Sequence, residues 1–140
     1  MSLKGKTAIV TGGARGIGRA ICKQLAQEGA AIALTYSKSA KDAESLVKEI
    51  EAAGGKAKAY LADADKPETM QAFVNDVMST FGAIDILVHN AGIFEGGIIG
   101  KITGEDYERT MRINVDSIFY LTNVAVPHMK SGGRIIMIGS

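Results

Sequence analysis

Thr11-Gly12-Gly13-Ala14-Arg15-Gly16-Ile17-Gly18 separates an apolar, strand-like run (Thr7, Ala8, Ile9, Val10) from a segment in which Ile17, Ala20, Ile21 and Leu25 recur at helical spacing. The glycines therefore fall where a strand turns into a helix, and this junction decides the fold. Glycine has no Cβ, so Gly12 suits a tight turn, Gly16 a close approach of backbone to phosphate, and Gly18 hard packing of the helix on the sheet. The helix N-terminus adds unpaired N–H groups and the positive end of its dipole, so the junction reads as a turn that holds a pyrophosphate. Turns with a purely structural role meet the same spacing, and the surrounding sequence has to decide between the two.

Downstream, strand-like and helix-like segments alternate with short connections. The first helix is predicted from Gly16 to Glu28, with Gly29 as its left-handed C′ residue. A second strand spans Ala31 to Tyr36. The second helix takes Ser39 as N-cap, carries Ala43, Leu46, Val47 and Ile50 on one face, and stops at Gly54-Gly55. A third strand covers Lys58 to Leu61. The third helix is predicted to follow Asp65 as N-cap, with Pro67 in its first turn and Met70, Phe73, Val74, Val77 and Phe81 recurring up to Gly82. A fourth strand spans Ile84 to His89. A Gly-rich loop (Gly92, Gly96, Gly97, Gly100) then leads to Thr103, which caps a helical region lasting to Met129, read as one helix or as two meeting near Arg112 to Asn114. The fifth strand, Arg134 to Ile138, is an apolar run of the kind covered on both faces, and in this chain it would be an apolar sheet edge. This rhythm predicts an α/β fold, a Rossmann-type doubly wound parallel sheet of five strands in the order 3-2-1-4-5, with its ligand crevice at the carboxyl ends of the strands.

Length and composition agree. The 140 residues suit a single domain, and sixteen basic against fifteen acidic side chains leave a net charge of +1 with no long run of one sign. That balance argues against a nucleic-acid partner or a polybasic membrane surface. No run approaches the ~18 apolar residues of a transmembrane helix, and Met1-Ser2-Leu3-Lys4-Gly5-Lys6 has no apolar leader core, so a soluble cytoplasmic protein is expected. The lone cysteine, Cys22, has no His/Cys cluster around it and reads as a small hydrophobe in reducing surroundings; no metal site is expected.

Four of the five predicted strand ends carry a motif: the glycine turn after the first, Ala62-Asp63 after the third, His89-Asn90-Ala91-Gly92 after the fourth, and Gly139-Ser140 after the fifth. With Asn114, these residues resemble the N-terminal part of the short-chain dehydrogenase/reductase family, close in style to the 3-oxoacyl-carrier-protein reductases, from about Leu3 onward. The resemblance implies that the turn of Gly12, Gly16, Ile17 and Gly18 holds the cofactor pyrophosphate and that Asp63 accepts a hydrogen bond from the adenine amine. It implies too that Asn90, Ala91 and Gly92 line the cofactor ribose. Asp63 could alternatively serve only to begin the turn into the third helix. His89 stands where the family carries a first asparagine, which weakens the structural half of that carry-over.

The second strand ends in Tyr36, Ser37 and Lys38, with no acid to bind a ribose 2′-hydroxyl as an NAD-selective site usually has. Arg15 and Lys38 can flank a 2′-phosphate and Ser37 can donate to it, so NADP(H) is favoured over NAD(H); both bases could also be solvated surface charges. By the same resemblance Ser140 donates to the substrate carbonyl oxygen and Asn114 holds a water in a proton relay. The family's remaining catalytic pair, a Tyr-x-x-x-Lys motif, would lie beyond Ser140. None of Tyr36, Tyr60, Tyr107 or Tyr120 has a lysine four residues later, so residues 1–140 are expected to form an NADP-binding Rossmann domain that binds without turnover, the front of a longer protein with further strands. The expected function is an oxidoreductase transferring a hydride between nicotinamide and a small carbonyl or alcohol substrate. The alternative is a non-catalytic dinucleotide-binding or sensing protein. Tyr107, Met111, Ile118, Leu121 and Val126 give the fourth helical region an apolar face that could simply cover the sheet; proteins of the resembling family pair through this region, and the resemblance implies a homodimer or homotetramer.

Overall fold

A computed structural model describes residues 2–94 and 96–139. Five strands form one sheet: β1 (Thr7–Val10), β2 (Ala31–Tyr36), β3 (Ala57–Leu61), β4 (Ile86–His89) and β5 (Arg134–Met137), in the order β3-β2-β1-β4-β5. Every pairing is parallel, with Ala8 opposite both Ile32 and Ile86, and His89 opposite Met137. This is the predicted Rossmann-type topology, with β1 central and the chain reversing direction across the sheet between β3 and β4.

Period-two alternation sends successive β1 side chains to opposite layers. Ala8 and Val10 join Ile32, Leu34, Ile86 and Val88 under α1 (Gly16–Gln27) and α2 (Ala40–Ala52), which contribute Cys22, Ala43, Leu46 and Ile50. Ile9 faces the other way, joining Ala33 and Leu87 under α3 (Met70–Phe81) and α5 (Ser117–Ala125), which supply Phe73, Val74, Val77, Leu121 and Ala125. Gly29 (φ +103°) and Gly82 (φ +77°) terminate α1 and α3 in the left-handed conformation that residues with a Cβ rarely adopt. Among the described residues no helix is long and apolar enough to cross a membrane.

Several local expectations change. The β4 ladder starts at Ile86 rather than Ile84, because the Asp85 carboxylate accepts the Thr7 N–H (2.9 Å) and Ile84 packs into the core ahead of the ladder. Asp65 does not cap a helix: a 3-10 turn, Pro67–Thr69, precedes α3, and the Asp65 side chain is engaged by arginines instead. Ser39 sits at the N-cap of α2 but makes no side-chain cap bond. The long helical region is α4 (Gly104–Met111), a π-helical turn (Arg112–Asp116), α5 and a 3-10 turn (Val126–His128). Its start is a capping box in which Thr103 Oγ1 accepts the Asp106 N–H and Asp106 accepts the Thr103 N–H. Leu121 belongs to the core and not to the outer face, where Tyr107 and Val126 are exposed. The β5 side chains are exposed, as befits an edge rather than a strand covered on both faces.

Candidate dinucleotide site

The glycine turn is tied down on three sides. Thr11 Oγ1 accepts the N–H groups of Asn90 and Ala91, both at 3.0 Å, clamping the end of β1 to the end of β4. Gly12 N–H donates to Thr35 Oγ1 (3.1 Å) and Gly13 N–H to the Thr35 carbonyl (3.0 Å), which fixes the turn to β2. From the β4 side, Asn90 Nδ2 donates to the carbonyls of Thr11 and Gly12, each at 3.1 Å. The first N–H groups of α1 precede the first intrahelical bond at this end, which joins Arg19 N–H to the Arg15 carbonyl (3.1 Å).

Each glycine answers to a different constraint. Gly12 (φ +62°) and Gly16 (φ +56°) use left-handed backbone, and a Cβ at Gly16 would meet nothing within 4 Å, so this position is open to an incoming group. A Cβ at Gly18 would run into the Gly12 carbonyl and the Asn90 amide. Gly18 therefore guards the turn and its asparagine tie, a more specific role than general helix-on-sheet packing. Gly13, which the motif reading passes over, has no room either: its Cβ would lie 2.8 Å from Leu34 Cβ and 2.9 Å from Cys22 Sγ.

Nine of the predicted residues line one cavity of about 370 Å³ at the carboxyl ends of the strands: Gly12, Arg15, Tyr36, Ser37, Lys38, Asp63, Asn90, Ala91 and Gly92. Arg109 and Ile113 complete the wall from α4 and the π-turn. Gly16, Ile17 and Gly18 stand outside this lining, in the first turn of α1, and Ile17 is solvent-exposed. Asp63 uses Oδ1 to accept the Asp65 N–H (2.9 Å), so it does shape the loop after β3, while its position on the wall keeps it facing the cavity. Asn114 lies behind the wall. Its amide clasps the Ile93 peptide, Oδ1 accepting the N–H at 2.9 Å and Nδ2 donating to the carbonyl at 2.8 Å. Ser140, the predicted catalytic serine, lies outside the described residues. A larger depression of about 950 Å³ lies at the opposite, amino ends of the strands, lined by Lys4, Lys6, Gly29 and Gly54 among others, and it contains none of the motif residues.

Burial sets the chemistry of two neighbouring groups. His89 is buried, with Nε2 2.8 Å from Thr122 Oγ1, and burial holds its pKa below the usual imidazole value, which suits a neutral structural side chain. Burial also pushes the Cys22 thiol up to about 12. In contrast, the hydrogen bond from Arg112 and the nearby Arg109 charge hold the Asp65 carboxyl below its usual range. Among the described residues, no three His, Cys, Asp or Glu side chains gather as metal ligands would.

Sequence reasoning missed Thr11, Thr35 and Arg19 as site builders. Arg19 Nη1 donates to the Ala14 carbonyl (3.2 Å) and the Asp42 carbonyl (2.9 Å), and Nη2 pairs with Glu49 (3.0 Å), lashing the turn to α2. Only the position of Thr11, at a strand end directly before the glycines, could have signalled such a role.

A glycine-turned, doubly wound parallel sheet with polar motifs converging at its strand ends defines a Rossmann-type α/β domain. The chain belongs to the short chain dehydrogenase family, whose sequence model matches residues 6–140. A probable tetrahydroxynaphthalene reductase from Zymoseptoria tritici is 39% identical over 99% of this chain and 52% of its own length. An uncharacterized oxidoreductase from Methylorubrum extorquens is 41% identical, covering 99% and 56%. Among solved structures, a short chain dehydrogenase from Burkholderia cenocepacia in complex with NADP superposes with a TM-score of 0.97 at 45% identity, covering 100% of this chain and 57% of that one. The chain thus spans about half the length of the curated relatives it matches.

Proposed function

We propose that the full-length protein is an oxidoreductase that transfers a hydride between a nicotinamide dinucleotide, NADP(H) in preference to NAD(H), and a carbonyl or alcohol substrate. In this reading residues 1–140 are its cofactor-binding domain. The carrying observation is the cavity at the strand ends, walled by Arg15, Lys38 and Arg109 with no carboxylate from the end of β2. Arg15 and Lys38 on this wall fit a ribose 2′-phosphate, with Arg109 held by Asp65 beside them, and a carboxylate at the end of β2 would repel it. The open left-handed Gly16 and the first-turn N–H groups of α1 fit a pyrophosphate, and Asp63, acceptor-only when ionised, fits an adenine amine. The Burkholderia neighbour bound to NADP, and a metagenomic blue fluorescent protein bound to NADPH at 47% identity, support the same cofactor.

When bound, the dinucleotide supplies or accepts the hydride. The chain's own part is to bind and orient it, and by family likeness Ser140 donates to the substrate oxygen while Asn114 anchors a proton-relay water. Because the Asn114 amide already serves Ile93, such a water would use the second lone pair of Oδ1 or the second Nδ2 hydrogen. The likeness to 3-oxoacyl-carrier-protein reductases makes 3-oxoacyl thioesters the first substrates to try. We read the protein as cytoplasmic and as a homodimer or homotetramer, joined through the exposed Tyr107, Phe119, Tyr120 and Val126.

The test is titration of the full-length protein with NADPH and NADH, followed by NADPH oxidation with small ketones and 3-oxoacyl thioesters. A charged hydrogen bond is worth about 1.5 to 3 kcal/mol, so Arg15→Ala is expected to weaken NADPH about ten- to a hundredfold and leave NADH nearly unchanged. Equal losses for both cofactors would refute the NADP preference, and absence of turnover across the carbonyl panel would refute the oxidoreductase.

A further inference from the structure

We propose that Asp65 is a positioning residue that locks the loop bearing Asp63 onto the π-helical turn bearing Asn114, coupling the adenine end of the cavity to its catalytic end. The inference rests on the cofactor reading above. Asp65 touches both sides of this junction. Its N–H donates to Asp63 Oδ1 (2.9 Å), so the direction of the Asp63 carboxylate depends on where Asp65 is held. Its own carboxylate spans to the other side, Oδ1 accepting from Arg112 Nε at 2.7 Å and Oδ2 lying 3.5 Å from Arg109 Nε. Arg112 opens the π-turn, the next residue Ile113 is buried against the cavity, and Asn114 follows with its clasp on Ile93. A path of bonds thus runs from Asp63 through Asp65 and Arg112 to the segment that carries Asn90, Ala91 and Gly92.

The loop needs such a tie. Between Ala62 and Met70 no side chain is buried, so this stretch has no apolar anchor of its own. The π-turn is anchored by Ile113 but leaves the regular helical register, the Ser117 N–H reaching back five residues to the Arg112 carbonyl. The partners are one-quarter to two-fifths exposed, at 26% for Asp65, 39% for Arg112 and 37% for Arg109. Ion pairs so exposed add little to global stability. The consequence of breaking this one is therefore misplacement of Asp63 and Asn114 in a protein that still folds.

The experiment uses the full-length protein and compares Asp65→Asn, Arg112→Gln and the double variant by NADPH affinity, by kcat at saturating NADPH and by melting temperature. Each single variant is expected to raise the NADPH Kd and lower kcat by about three- to tenfold, the range typical of coupling through a shared element. The double variant is expected to lose no more than the worse single one, because both changes cut the same link. Melting temperatures should stay within about 2 °C of wild type, as for other exposed pairs. Asp63→Ala, run alongside, tests the underlying reading by itself: it removes the adenine acceptor and should weaken NADPH whether or not Asp65 positions it. Wild-type Kd and kcat in Asp65→Asn, additive losses in the double variant, or losses that track a fall in melting temperature would each overturn the proposal. Undiminished NADPH binding by Asp63→Ala would instead overturn the cofactor assignment on which it stands.

Discussion

Replacing Gly18 by alanine sets two effects against each other, and the structure says which wins. In an isolated helix the change would stabilise by about 1 kcal/mol, because alanine loses less backbone entropy than glycine. Here the new Cβ meets the Gly12 carbonyl and the Asn90 amide, neither of which is the free end of a flexible side chain. The Asn90 amide is pinned by its bonds to Thr11 and Gly12, both 3.1 Å, so room appears only if the turn lifts away from it. Losing those two bonds costs about 1 kcal/mol each, and overpacking a close-packed spot costs about 1 to 3 kcal/mol more. After subtracting the propensity gain, the net destabilisation is about 2 to 4 kcal/mol, or a fall of about 6 to 12 °C in Tm for a domain of this size. Thermal unfolding followed by circular dichroism measures the first, and NADPH fluorescence titration should show at least about tenfold weaker binding because the same displacement disturbs the phosphate turn. Gly16→Ala is the contrast: it carries only the cost of left-handed backbone, about 1 to 2 kcal/mol, with no neighbour to strike. A Gly18→Ala protein that melts above wild type and binds NADPH undiminished would refute the reasoning.

Two further outcomes follow from buried groups. Burial lowers the His89 pKa in the folded state, so the unfolded chain takes the proton more readily; stability should fall as pH drops below about 6.5, by at most about 1.4 kcal/mol per pH unit, levelling off below the folded pKa. Urea unfolding between pH 7.5 and 5 should show this slope in wild type and a flatter one in His89→Gln, and equal slopes would rule it out. With its pKa at about 12 and no solvent exposure, the Cys22 thiol should resist iodoacetamide at pH 7.5 in the folded protein and react fully in guanidinium. Alkylation at similar rates in both states would show that α1 does not seal over it.

Most of the scaffold was legible because its signals are local. Ala43, Leu46 and Ile50 at helical spacing, the short apolar runs, and glycines at helix ends are each set by neighbours a few residues away, and α1, α2 and the sheet order emerged where the pattern predicted. Errors came where two distant segments compete for one group. Asp65 has the credentials of an N-cap, yet Arg112, 47 residues on, takes its carboxylate. Ile84 reads as strand, yet the Asp85 side chain intercepts the Thr7 N–H and delays the ladder.

The same division runs through the candidate site. Gly12, Gly16 and Gly18 mark a tight strand-to-helix turn by themselves, since only glycine readily tolerates the backbone angles and contacts there. That Thr11 clamps β4, that Thr35 holds the turn to β2, that Asn90 closes it from the far side and that the Asn114 amide is taken up by Ile93 were decided only in three dimensions. The reason is physical. Periodicity and backbone freedom are properties of a short stretch of chain, whereas a hydroxyl or amide will bond whichever complementary group the fold brings within about 3 Å, and parallel strands bring together residues some eighty positions apart.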